Sequence, residues 1–177
     1  MTTPTRARSG VDRIHEDVDR AAKRLTVLHA ERLRCARGCH GCCVDDLTVF
    51  QIEADRIRAH HAELLATGAP HPEGACAFLD AEGACRIYAH RPYVCRTQGL
   101  PLRWIDEVEG ELAELRDICP LNEPGEPIEE LPEDACWELG PIEERLAATE
   151  LEEGRAAGDS GAPEATRPRV RLRDLFR

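Results

Sequence analysis

Four cysteines stand within nine residues, in the stretch "CARGCHGCC" from Cys35 to Cys43, in a chain of 177 residues that carries nine cysteines in all. A segment so dense in thiols is either cross-linked by disulfides or gathered around a metal. Cys42 and Cys43 are sequence neighbours, and pairing them needs a strained vicinal bridge. The odd total also fits poorly with complete pairing. The N-terminus "MTTPTRARSG" has basic residues with no apolar stretch behind them, so no secretory signal is expected. No run approaches the roughly 18 apolar residues of a membrane span, which predicts a protein without a membrane partner. A cytoplasmic location follows as the expectation. In that reducing compartment disulfides are rare, and the pattern points to a metal ion as partner.

The first group reads C-x3-C-x2-C-C, and Cys76, Cys85 and Cys95 follow as C-x8-C-x9-C, with Cys119 and Cys136 further on. None of these spacings is that of a standard zinc finger or ferredoxin. Thiolate is a soft donor that selects zinc, copper(I) or an iron–sulfur cluster over magnesium or calcium. Eight candidate ligands, Cys35, Cys39, Cys42, Cys43, Cys76, Cys85, Cys95 and Cys119, would fill two mononuclear sites or one polynuclear assembly. Cys136, beside Trp137, is expected to be a buried small hydrophobe. His40 and His90 lie inside and beside the clusters; solvent-facing positions are the expectation for both. His60 and His61 fit the last turn of a helix, where imidazole complements the dipole. Asp45 and Asp46 are explained by the helix that follows them.

Aromatic residues make up only 4% of the chain, so the core is expected to be small, aliphatic and dependent on cross-links or metal. A net charge of −11 argues against a general nucleic-acid binder, because phosphate contact needs a basic surface. Apolar residues at helical spacing (Val11, Ile14, Val18, Ala21, Leu25, Leu28) predict an amphipathic helix capped by Ser9 and Asp12. A second helix is expected from Thr48, with Gln51 completing its cap and Gly68 ending it. Two hairpins are expected, one turning at Asp80 to Gly83 and one near Glu109 and Gly110. Tyr88 and Phe78 would pack beneath the first, and Pro92 would open a short helical turn carrying Cys95. An irregular proline-rich stretch and a last helix containing Trp137 follow. The predicted class is α+β: a small single domain of amphipathic helices and short β-hairpins organised around a cysteine metal cluster. Residues 1–10 are expected to be a flexible N-terminus, 11–150 the metal-binding domain, and 151–177 a disordered linker with an arginine-rich tail.

With these motifs in place the chain resembles the zinc- or iron-chelating CxxCxxCC domain family, also called YkgJ-type cysteine cluster proteins. The resemblance lies in "CARGCHGCC", in "CAFLDAEGACRIYAHRPYVCR" and in "DICPLN", three signatures in the right order. It spans about Arg34 to Ala147. The family's first two cysteines are usually two residues apart, whereas Ala36, Arg37 and Gly38 separate Cys35 from Cys39 here. What the resemblance implies is a metal-chelating protein holding zinc or iron, including a possible iron–sulfur (Fe–S) cluster, in a structural or redox role. Arg91, Pro92 and Arg96 belong to the shared signature; Arg91 and Arg96 are expected to offset thiolate charge and donate to sulfur. Alternatives are a metal-dependent oxidoreductase, a protein-modifying enzyme related to flagellin N-methylase, or a metal-folded interaction module whose protein partner the sequence does not reveal. No HExxH pair, P-loop or dinucleotide fingerprint supports an enzyme.

Overall fold

The computed structural model describes residues 9–156 and 168–176. Residues 1–8 of the expected flexible N-terminus and 157–167 of the expected disordered segment 151–177 lie outside them, whereas residues 151–156 continue a helix. Helix α1, Gly10–Leu28, starts where the sequence places it: Ser9 accepts from the Asp12 N–H, and the Asp12 carboxylate reaches back to the Ser9 backbone. Val11, Ile14, Val18 and Leu25 are buried along one face, joined by Ala22 rather than Ala21, while Leu28 is exposed. Each large aliphatic side chain buried in this way contributes about 1.5–3 kcal/mol.

The expected second helix begins later than Thr48. Thr48–Val49 form a short strand, β1, and α2, Gln51–His60, starts after Phe50, whose N–H donates to the Glu53 carboxylate in place of the expected Thr48–Gln51 cap. The chain breaks at His61 and resumes as α3, Ala62–Thr67, with Gly68 at its end. α2 divides two cores. Ile52 packs with α1, Tyr93, Trp137 and Leu146, whereas Ala54 and Ile57 pack with Val49, Phe78, Ile87 and Leu172.

After α3 the first expected hairpin shrinks to a single bridge between Leu79 and Cys85, closed by Asp80 accepting from the N–H groups of Glu82 and Ala84. Phe78 is buried there, but Tyr88 is 65% exposed, its ring under the Arg91 guanidinium and outside the core. Pro92 caps α4, Tyr93–Thr97, which carries Cys95. The second hairpin forms as expected: β2, Leu102–Val108, pairs antiparallel with β3, Glu111–Asp117, in the register Leu102–Asp117 to Val108–Glu111. Glu109 and Gly110 both take positive φ, 55° and 88°, as a two-residue turn matched to strand twist requires. Three short 3-10 turns fill the stretch from Pro120 to Ala135.

Trp137 belongs to no helix. Trp137–Glu138 form β4, parallel to the base of β2, and α5, Pro141–Ala156, starts after Gly140. Finally β5, Val170–Arg171, pairs antiparallel with β1, and Leu172 and Leu175 are buried behind it. The arginine-rich tail is therefore docked along 168–176. Among the described residues, five α-helices with sheets of two and three strands make a small α+β domain. No helix among the described residues is long and apolar enough to cross a membrane.

Candidate metal centre

The loop from Cys35 to Cys43 is a succession of tight turns, with the Cys39 N–H donating to Ala36 O at 3.0 Å and the Cys43 N–H to His40 O at 2.9 Å. Gly38, at φ +85°, permits the reversal between them. The backbone then ties the first group to the second: the Cys76 N–H donates to Cys43 O at 2.9 Å. Cys85 enters through its bridge with Leu79, and Cys95 through the start of α4, which packs on α1. Cys43, Cys76 and Cys85 share the second core.

All the cysteines are free thiols. Five of them, Cys42, Cys43, Cys76, Cys85 and Cys95, are close enough to shift one another's ionisation. Cys43, hydrogen-bonded to Cys42 and partly buried, is pushed up and stays a thiol; its donation lowers Cys42 to about 6. Burial pushes Cys76 and Cys85 up, and burial with the neighbouring Cys76 and Cys85 pushes Cys95 up further. Backbone groups act in the opposite sense. The N–H of Phe78 points at the Cys76 sulfur and that of Ile87 at the Cys85 sulfur, each two residues beyond its cysteine. Such N–H groups stabilise a thiolate once its proton leaves.

Cys35 and Cys119 belong to a neighbouring locus beyond the end of α4. Asn122, fully buried, donates to the Cys35 sulfur at 3.4 Å and to Gly99 O at 2.8 Å, and its own N–H donates to Cys119 O at 2.7 Å. Cys39 lies on the turn whose Gly38 and His40 touch the loop at Glu82 and Gly83. Cys136 is 6% exposed and packs with Leu131 and Ala135, with Arg116 at 3.9 Å from its sulfur.

Arg91 donates to Cys95 O at 3.1 Å and to Tyr88 O at 3.3 Å, and its charge favours ionised Cys85 and Cys95. Arg96 points elsewhere: it is buried, ion-paired to Asp19 of α1 at 2.6 Å, and donates to Arg91 O and Ala89 O. It fixes α4 and meets no sulfur in these contacts. Arg86 and Arg173 also favour the ionised form of Cys76, and the sequence singled out neither. Their signal is only spatial, since Arg173 comes from the far end of the chain. His40 is exposed and bonds to Gly38 O, while His90 stacks on His60 at 4.0 Å and shares a hydrogen bond with His61 at 2.9 Å. His60 and His61 thus pack as imidazole neighbours beyond their helix-end position. Asp45 pairs with Arg173 and accepts from the Gly74 N–H, so more than helix electrostatics holds it.

Among the described residues, no three His, Cys, Asp or Glu side chains already surround a common point as a closed metal cage would. The fit to a metal is therefore one of chemistry: adjacent soft donors, sulfur-directed N–H groups and cations at the rim. Residues 34–120 match the family model CxxCxxCC, described as "Putative zinc- or iron-chelating domain". Residues 34–120 are thus a domain of the CxxCxxCC family. The match begins just before Cys35, ends just after Cys119, and includes every proposed ligand. No curated protein and no solved structure gives a significant match to the chain. The family's description supports metal binding in general.

Proposed function

We propose that this CxxCxxCC protein chelates zinc or iron through its cysteines, in a structural or redox role and in a reducing compartment such as the cytoplasm. Cys42, Cys43, Cys76, Cys85 and Cys95 form the principal donor group, and Cys35, Cys39 and Cys119 the remaining ligands. The observation that carries this reading is the gathering of five free thiols, from three separate segments, beside N–H groups aimed at two of their sulfurs. A bound soft cation would neutralise the charge that these thiols otherwise avoid by keeping their protons.

Because most of the group is protonated without metal, uptake must release protons, and affinity must fall as pH falls. Arg91 holds the Cys95 backbone and supplies rim charge. Zinc would make the site a closed structural centre; iron with inorganic sulfide would make it an Fe–S redox centre. Metal analysis and an absorption spectrum on protein purified without oxygen distinguish the two. Colourless protein with stoichiometric zinc supports the first, and iron with matching acid-labile sulfide and a broad visible band the second. Absence of both metals would refute the reading.

A further inference from the structure

Residues 168–176 lie far outside the stretch that matches the family, yet they close over the loops that bear Cys43 and Cys76. The segment is anchored along its length. Thr48 pairs with Arg171 and Val49 with Val170, and the Leu172 N–H donates to Leu47 O at 3.0 Å. Leu172 and Leu175 are 2% and 4% exposed, in the same core as Cys76 and beside Cys43 and Cys85, and Phe176 meets Phe78 with ring centroids 4.9 Å apart.

Arg173 is the centre of this contact. Its Nε donates to the Asp45 carboxylate, two residues after Cys43. Its other nitrogens donate to His71 O at 2.8 Å, Ala75 O at 3.0 Å and Pro72 O at 3.2 Å, the Ala75 carbonyl directly preceding Cys76. Asp45 in turn accepts from the Gly74 N–H at 3.0 Å, which closes a ring between the two cysteine-bearing loops. A planar guanidinium with five donors can serve four acceptors at once; a lysine ammonium of similar reach has three donors and no fixed plane.

We propose that the C-terminal segment is a built-in clamp on the thiol site, and that Arg173 is the positioning residue that holds the Cys43 and Cys76 loops together. Its consequence for metal retention rests on the chelation reading above; its effect on thiol exposure does not. A segment that merely stabilised the fold would protect all buried thiols alike. A clamp protects those of the two loops it joins.

The test is a time course of iodoacetamide alkylation on the full chain, resolved by peptide mass spectrometry, for the wild type, Arg173→Met and Arg173→Lys. In parallel, zinc ion is added and its dissociation into a chromogenic chelator is followed. Arg173→Met is expected to speed alkylation of Cys43 and Cys76 by at least about fivefold, through more frequent local opening, with Cys119 and Cys136 unchanged. Zinc release should quicken in step. Arg173→Lys should fall between the two, and it decides the matter if the methionine variant does not fold. Equal rates in all three proteins, or a uniform increase at every cysteine, would overturn the clamp. If wild-type protein takes up no zinc or iron, the chelation reading fails while the alkylation ratios still judge the clamp.

Discussion

Glu53 is the residue on which most of the polar interior converges. It is 2% exposed; one oxygen accepts from the Tyr93 N–H at 2.7 Å and meets His15 Nε2 at 2.9 Å, and the other takes the Phe50 N–H at 3.3 Å. One carboxylate therefore fixes the start of α2, the start of α4 and the middle of α1. Since α4 carries Cys95, Glu53 also helps to place a proposed ligand. Glu53→Ala leaves two backbone donors without partners and is expected to cost about 2–4 kcal/mol in denaturant unfolding at unchanged m. A loss under about 0.5 kcal/mol would show that the network does not bear on stability. The histidines offer a pH test. Burial, then repulsion from Arg56, Arg96 and the neighbouring imidazoles of His60 and His61, lowers His90 to about 4. An unfolded histidine titrates near 6.5, so neutral His90 contributes stability that is complete above about pH 6.5 and lost as pH falls toward 4. The difference in Tm between wild type and His90→Gln should shrink over that interval; a pH-independent difference would contradict the assignment.

At the scale of elements, Gly99 leaves the room that the Cys35 and Asn122 side chains occupy beyond the end of α4. It has φ +92°, and a Cβ there would sit 2.5 Å from the Cys35 sulfur and 3.1 Å from Asn122 Nδ2. Gly99→Ala is expected to destabilise the domain by about 1–3 kcal/mol, combining backbone strain with displacement of Cys35. It should also raise the alkylation rate of Cys35 above that of Cys39; an unchanged ratio would separate Gly99 from the site. Which elements the sequence reveals follows from how local their signals are. The α1 cap is written within four residues, and the β2–β3 turn within two, so both are legible in the amino-acid order alone. Strands β1, β4 and β5 are two residues each and exist only through partners far along the chain, as Val49 with Val170 shows. The Cys85 region reads as a hairpin by alternation, but its backbone donors are satisfied by turns and by Asp80, leaving one bridge. Leu139, Ile142 and Leu146 keep helical spacing and invite a helix that takes in Trp137, yet the Trp137 N–H bonds to Pro101 O and its ring nitrogen to the Tyr93 hydroxyl, and these tertiary contacts draw it into β4.

At the scale of the whole molecule, α2 divides the two larger cores of the described residues, a third small one surrounds Cys136, and residues 168–176 fold back over the thiol site on one of the larger two. The cysteines are legible as a group because thiol density is a property of composition and spacing. Their division into a group of five and a neighbouring locus around Asn122 is not, since Asn122 carries no motif and its role is purely one of position. Nor is Arg173, whose partners lie about 100 or more residues away in the sequence. The central claim is that the gathered thiols hold a metal and that Cys136 does not. Metal content per chain, measured on wild type, Cys42→Ser, Cys95→Ser and Cys136→Ser purified side by side without oxygen, tests it most directly. The account predicts stoichiometric zinc or iron in the wild type and in Cys136→Ser, and marked loss in the other two. Equal metal in all four proteins, or a metal-free wild type that unfolds cooperatively, would contradict it.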